Sequence, residues 1–372
     1  MSEKVLHTAI CDLFGIKYPI LLAGMGGAST PALAAAVSNA GGLGVLGAAA
    51  CAPDELRQWI RRTRELTDKP FGVDTLLPST VPSGGSAQKF KAELPQSHID
   101  FAREFKRRHN LPDPDPAKMH GRGLAFSREF FNQQIEVVLE ERVPVYVAGL
   151  GDPGFMIPEA HKRGIKVMAI AGAVKHARRF VDSGVDVIVA QGTDGGGHNS
   201  RVGTMVLVPQ VVDAVRPLPV LAAGGIADGR GLVAALALGA AGVWIGTPFL
   251  ATPEAGIEDF QKEAIVEASS EDTVVARCLT GKPARFIKNK WAEEFEASGL
   301  KPLPMPFQGL IAMPVMEAAR QAGRKDIVPG FAGQSIGMIR KIRPAGEILE
   351  QMVAEAVEIL AKSMPAAVRF AG

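Results

Sequence analysis

Cysteine is scarce in this chain: Cys11, Cys51 and Cys278 are the only three among 372 residues, and no CxxC pair occurs. That scarcity excludes a disulfide framework and a cysteine-built zinc site, and it fits a reducing compartment. Charge of one sign is also missing. Lys and Arg total 41 against 39 Asp and Glu, a net charge of +2 with no long basic run, so nucleic acid has no electrostatic footprint to meet. Long hydrophobic runs are absent too; glycines break the apolar segments well short of the roughly 18 residues a membrane span needs. The opening stretch MSEKVLHTAICDLFGIKYP carries charges and no apolar h-region, so no signal peptide is expected. Together these absences lead to the expectation of a cytoplasmic globular protein without nucleic-acid or membrane partners. Nothing matches a Walker motif and no GxGxxG follows the first apolar run, which disfavours ATP phosphate transfer and a Rossmann dinucleotide domain.

What is present is a regular alternation. Apolar residues make up 47% of the chain, enough for a substantial core. Eight short apolar runs read as strands: PILLAG from Pro19, GLGVLG from Gly42, PFGVDT from Pro70, PVYVAG from Pro144, KVMAIA from Lys166, VDVIVA from Val185, PVLAAGG from Pro219 and GVWIGT from Gly242. They are nearly continuous in apolar residues, as expected of parallel strands covered on both faces. Helix-like stretches such as TPALAAAVSNAGG, PDELRQWIRRTREL and ADGRGLVAALALGA separate them. Eight βα units predict an α/β protein of the (β/α)8 TIM-barrel class, with its active site at the C-terminal strand ends. A doubly wound open sheet is the alternative.

The barrel is expected to comprise residues 1–78 and 119–253. Residues 79–118, rich in Pro, Ser and charge, read as an insertion or lid after the third strand, with SHIDFAREFKRRH supplying a helix inside it. Residues 254–372 read as a mostly helical extension packed on the barrel.

Several strands end in glycine beside small or polar residues. Gly224-Gly225 and Gly246-Thr247 follow the seventh and eighth predicted strands, where barrels often bind phosphate through exposed backbone amides. A plain tight turn is the competing explanation for either pair. In GTDGGGHNS, His198 is the one histidine of seven placed just beyond a barrel strand in a Gly-rich loop. Imidazole can take or return a proton near neutral pH or hydrogen-bond a developing anion, although loop histidines are often only solvated. His120, in the insertion, is a weaker second candidate, and His161 and His176 fall on solvated helix faces. Asp74 and Gln191 end the third and sixth strands and face the mouth, as partners for a flat heterocycle or as structural caps. Met25 and Met168 suit an apolar wall or core filling, and Asp194 suits an Asx-turn.

These motifs resemble the nitronate monooxygenase family, also called 2-nitropropane dioxygenase-like. The resemblance rests on YPILLAGMGGASTPALAAAVSNAGGLGVLG, GTDGGGHNS, PVLAAGGIADGRGLVAALALGAAGVWIGTPFLAT, LTGKPARFIKNKW and FAGQSIGMIRKI. It implies FMN, with the phosphate at Gly224-Gly225 and Gly246-Thr247 and with Gly197 and Ala223 in the same shell. Ala23, Gly24 and Met25 would pass along the isoalloxazine, Asp74 and Gln191 would sit at its edge, and Gln334 and Ser335 would close on it from the extension. His198 falls on the family's catalytic histidine. Three departures stand out: Asp74 where an Asn is common, Ile170 where some relatives carry a Lys, and Phe331 where a Tyr or Trp is frequent.

The implied activity is FMN-dependent oxidation of an alkyl nitronate by O2 to a carbonyl compound and nitrite. A flavin reductase or dehydrogenase using NAD(P)H on an enoyl thioester (CoA or acyl-carrier) or a quinone is the alternative. VLAAGGIADG also suits a nucleotide-monophosphate barrel, but no cysteine nucleophile occupies a corresponding loop. A non-catalytic phosphate-binding protein is the last rival, and a homodimer is left open.

Overall fold

The computed structural model describes residues 6–77, 93–118, 127–328 and 330–368. The eight expected strands are all present and parallel: β1 (Ile20–Leu22), β2 (Gly44–Gly47), β3 (Phe71–Leu76), β4 (Val145–Leu150), β5 (Lys166–Ala171), β6 (Val187–Gln191), β8 (Val220–Ala223) and β9 (Gly242–Ile245). Three further strands, β7 (Gly197–His198), β10 (Thr273–Ala276) and β11 (Ala284–Ile287), form a separate small sheet.

The large sheet runs β1-β9-β8-β6-β5-β4-β3-β2 and then closes on itself. Closure is made by the parallel bridge Leu21–Leu43, with Leu22 N–H donating to Leu43 O at 2.9 Å and Leu43 N–H to Ile20 O at 3.0 Å. The fold is therefore a (β/α)8 barrel, and the open-sheet alternative is set aside. The uninterrupted apolar runs now have their reason. Side chains alternate across each strand, and here both faces are dry. Leu21, Val45, Val147, Met168, Val189 and Trp244 fill the lumen, while Ile20, Leu46, Val73, Val167, Ile188 and Val243 pack outward under the helices. The helix Ala9–Phe14 plugs the N-terminal end of the lumen with Ile10, Cys11 and Phe14. The opposite end is left to the site.

After β9 the chain leaves the barrel, builds the extension and returns as the helix Ala345–Glu358. That helix lies against Pro31–Asn39 and Gly229–Ala237, the first and seventh barrel helices, so it completes the outer ring. A Cβ at Gly229 would come within 2.4 Å of Glu355 Cβ, and the Glu355 carboxylate accepts the Gly229 N–H at 2.9 Å. The extension was expected to be mostly helical, which it is, but it also carries the β10–β11 hairpin.

The insertion does contain a helix, Gln96–Arg108. Its Phe101 and Phe105 meet Trp291 edge-on with ring centroids 5.1 Å apart, so insertion and extension share a second apolar core. Residues 79–92 of the insertion and His120 lie outside the described residues. No described helix is long and apolar enough to cross a membrane. Phe105 is fully buried, and truncating it leaves a cavity against Trp291. Phe105→Ala is therefore expected to lower the unfolding free energy by about 3–5 kcal/mol, read from urea denaturation; a loss near zero would show that the insertion helix is not anchored there.

Candidate active site

The first strand turns into its helix through a knot of short hydrogen bonds. Ser29, fully buried, donates its hydroxyl to Ala23 O at 2.8 Å and accepts the Met25 N–H at 3.1 Å. The same residue's carbonyl takes the Gly47 N–H at 2.9 Å, tying the end of β2 to this turn. Ala23, Gly24 and Met25 are thereby presented at the rim, half-buried. Met25 lies across from Gly246, where an added Cβ would sit 3.1 Å from its sulfur. Met168, by contrast, is fully buried in the lumen and acts as core.

Asp74 occupies the top inward position of β3, in register with Gly47 and Val147. Its carboxyl is wedged between two backbones. A Cβ at Gly24 would come within 2.4 Å of Oδ2, and one at Gly149 within 2.4 Å of Oδ1. Only glycine permits that approach. Burial pushes the carboxyl well above its usual range, with the Gly149 N–H hydrogen bond opposing the shift, so the fold favours the protonated acid. A protonated carboxyl offers one donor and one acceptor, the same pattern as an amide.

The GTDGGGHNS loop is held from several sides. Gln191 donates its side-chain amide to His198 O at 2.8 Å. Asp194 accepts the Thr204 N–H at 2.7 Å and so caps the helix Thr204–Val215, in place of the expected Asx-turn. Arg285, buried, donates to Thr193 O at 3.1 Å and to Thr273 Oγ1 at 2.9 Å. Gly197 and His198 pair as β7 with Arg285 and Ala284 of β11. His198 Nε2 lies 2.8 Å from Thr280 Oγ1.

Exposure and solvation part company at His198. Its surface opens to the mouth, yet the surrounding protein strips away enough water to pull the imidazole down to about 4, with the nearby Lys282 ammonium adding to the shift. Both causes act in the same direction, so the ring is neutral at physiological pH. A neutral imidazole can accept a proton or a hydrogen bond.

Gly224 and Gly225 follow β8 with φ of +100° and +77°. Glycine alone takes such positive φ values without strain, and its missing side chain lets a ligand approach the backbone here. Among the described residues, the N–H groups of Gly224, Gly225 and Thr247 donate to no acceptor in the chain. The buried Thr247 hydroxyl takes the Gly333 N–H at 2.9 Å, and Gln334 N–H donates to Asp194 O at 2.9 Å. The extension is thus stitched to the rim next to both glycine pairs, with Gln334 exposed and Ser335 buried. Free amides and no carboxylate aimed at them make a donor set that suits a phosphate dianion.

The sequence reading placed the histidine, the glycine pairs and the two strand-end polar residues, and these all lie at one barrel mouth. It missed Ser29, Thr280, Lys282 and Arg285. The last three belong to LTGKPARFIKNKW, a motif quoted whole because no periodicity marks which of its residues turns inward. His161 and His176 are exposed on helices, His161 bonded to Asp186 at 2.9 Å.

A closed (β/α)8 barrel thus carries a neutral histidine and an amide-lined cradle at its C-terminal mouth. Residues 7–355 match the nitronate monooxygenase family, and the chain belongs to it. A Mycobacterium tuberculosis protein, Rv1533, named as a monooxygenase, is 39% identical over 95% of this chain and 97% of its own. The nitroalkane oxidase of Streptomyces ansochromogenes is similar in structure, with a TM-score of 0.80 and 32% identity over 95% of this chain and 99% of that one. FabK from Thermotoga maritima superposes with a TM-score of 0.76 and 35% identity over 96% and 99%. The protein is an enzyme, an oxidoreductase of a flavoprotein family.

Asp74 also sets a stability signature. Its folded pKa lies above the unfolded value, so its contribution is fully present below the unfolded pKa and is lost as pH rises through the folded one. Asp74→Asn, which keeps the shape, is expected to be more stable than wild type in alkaline buffer. The gap should shrink by at most about 1.4 kcal/mol per pH unit on acidification and close near the unfolded carboxyl pKa. Denaturant titrations across pH read this directly; parallel profiles for the two proteins would show that Asp74 is ionised.

Proposed function

We propose that the chain is an FMN-dependent nitronate monooxygenase, oxidising alkyl nitronates with O2 to a carbonyl compound and nitrite. The observation that carries this reading is the neutral His198 at the mouth, together with the unengaged amides of Gly224, Gly225 and Thr247. The amides would hold the FMN phosphate, with Gly246 keeping the approach open and Gly197 and Ala223 adjoining. Ala23, Gly24 and Met25 would lie along the ring system, Asp74 and Gln191 at its edge, and Gln334 and Ser335 on the extension side. Bound there, the flavin supplies the redox chemistry.

The chain's own residues do the rest. Asp74, as a neutral acid, gives the ring edge one donor and one acceptor without placing a charge beside it. Gln191 steadies the carbonyl of His198, and Thr280 fixes one ring nitrogen. The other nitrogen, in the tautomer that carries the ring proton, is then free to hydrogen-bond a nitronate oxygen. Ser29 and Arg285 act one layer back by holding the turns that carry these groups.

The likeness to FabK favours keeping the enoyl-thioester reductase as a second reading. Two assays separate them. Nitronate-driven O2 uptake by the FMN-loaded protein without NADH is expected, with kcat/KM falling about 100-fold or more in His198→Asn. Absence of uptake, with anaerobic bleaching of the flavin by NADH or NADPH, would transfer the assignment to the reductase.

A further inference from the structure

Lys282 lies in the turn between β10 and β11, in the same loop as Thr280. Four lysines among the described residues are withdrawn from full exposure: Lys106, Lys166, Lys262 and Lys282. The first three each face a carboxylate, Asp113, Asp186 and Asp259 respectively. Lys282 faces none of the described carboxylates. Withdrawing an ammonium from water without a counter-charge is unfavourable, and burial accordingly lowers its pKa.

Its surroundings place this unpaired cation at the chemistry. The β7–β11 pairing sets Ala284 opposite His198, and Asn199 N–H donates to Pro283 O at 3.3 Å, so residues 280–284 run beside the histidine. Thr280 Oγ1, 2.8 Å from His198 Nε2, also meets the Lys282 backbone N–H at 3.4 Å. Of the two acidic groups at this mouth, Asp194 accepts the Thr204 N–H and lies toward Arg285 and Gly225, and burial shifts Asp74 toward its protonated form. Beside His198 the mouth therefore presents an ammonium, a hydroxyl and a neutral imidazole together. That arrangement attracts a small oxyanion.

We propose that Lys282 is a specificity-determining residue whose ammonium receives the negative charge spread over the nitronate oxygens, so that the enzyme selects the anionic nitronate over the neutral nitroalkane and over an uncharged thioester. The inference rests on the nitronate reading of the same site. It assigns Lys282 to substrate binding, not to proton transfer, and so places its effect in KM.

The test uses the FMN-loaded full chain and its Lys282→Gln and Lys282→Arg variants. Nitrate and nitrite, as unreactive oxyanions, are titrated while the visible flavin spectrum is followed. Lys282→Gln should weaken both at least tenfold and raise KM for propyl nitronate by a similar factor, with kcat within about threefold. Lys282→Arg should recover most of the affinity, since it restores the charge. Loss of the cation should also raise the His198 pKa from about 4, followed by imidazole NMR, which checks that the ammonium stands beside the ring. Equal oxyanion affinity in wild type and Lys282→Gln overturns the proposal. If oxyanions bind through Lys282 but no nitronate is consumed, the activity reading fails and the anion site stands. If nitronate is consumed with an unchanged KM in Lys282→Gln, only the role of Lys282 is lost.

Discussion

A two-residue strand pairing governs the site. Gly197 and His198 could have ended a free Gly-rich loop, with the imidazole sampling many positions. Their antiparallel pairing with Arg285 and Ala284 instead makes the loop an edge of a three-stranded sheet. Every element that matters at the mouth is referred to that pairing. It aligns Thr280 with the ring, brings Lys282 alongside, and aims Arg285 back into the loop at Thr193. Because β10 and β11 belong to the extension and β7 to the barrel, the site is complete only when the two halves of the chain are docked. The links Thr247–Gly333 and Asp194–Gln334 reinforce that docking on the other side of the cradle.

The same logic explains which parts of the molecule could be read from residues alone. The barrel strands were legible because burial on both faces leaves a local record: an apolar run bounded by glycine or proline. The helix Gln96–Arg108 was legible because a structureless loop of the insertion's length is uncommon. Strands β10 and β11 were not, because each is four residues long and neither the Thr273–Ala276 nor the Ala284–Ile287 stretch carries a sustained alternation. β10 pairs with β11 as a hairpin, but the outer partner of β11 is β7, far earlier in the chain, and no local pattern records a contact of that kind. The return of Ala345–Glu358 as an outer barrel helix was hidden for the same reason. Its apolar face is plain in sequence, but the surface that face covers is decided by where the chain ends up.

Charge tells a similar story. Asp74 reads as an ordinary strand-end carboxylate and Lys282 as an ordinary turn lysine. What distinguishes each is the lack of a partner, and that is a property of the assembled fold. Gly24 and Gly149 press against both sides of the buried Asp74 carboxyl. Burial then neutralises the group, since an isolated ionised carboxylate in that position would cost more than the proton it gives up.

The neutral Asp74 and the unpaired Lys282 have a joint consequence. Were Asp74 ionised, its field would oppose an anion at the mouth, and the cation at Lys282 would be partly spent on it. With His198 uncharged and Asp74 shifted toward its protonated form, the Lys282 ammonium acts in a site partly shielded from water, where screening by solvent is weak. A ring edge met without charge on one side and an oxyanion met by an ammonium on the other are compatible demands only if the acid is kept protonated. Burial is what favours that state, against the pull of the Gly149 N–H, and thus the packing at the top of β3 shapes the electrostatics at the far side of the mouth.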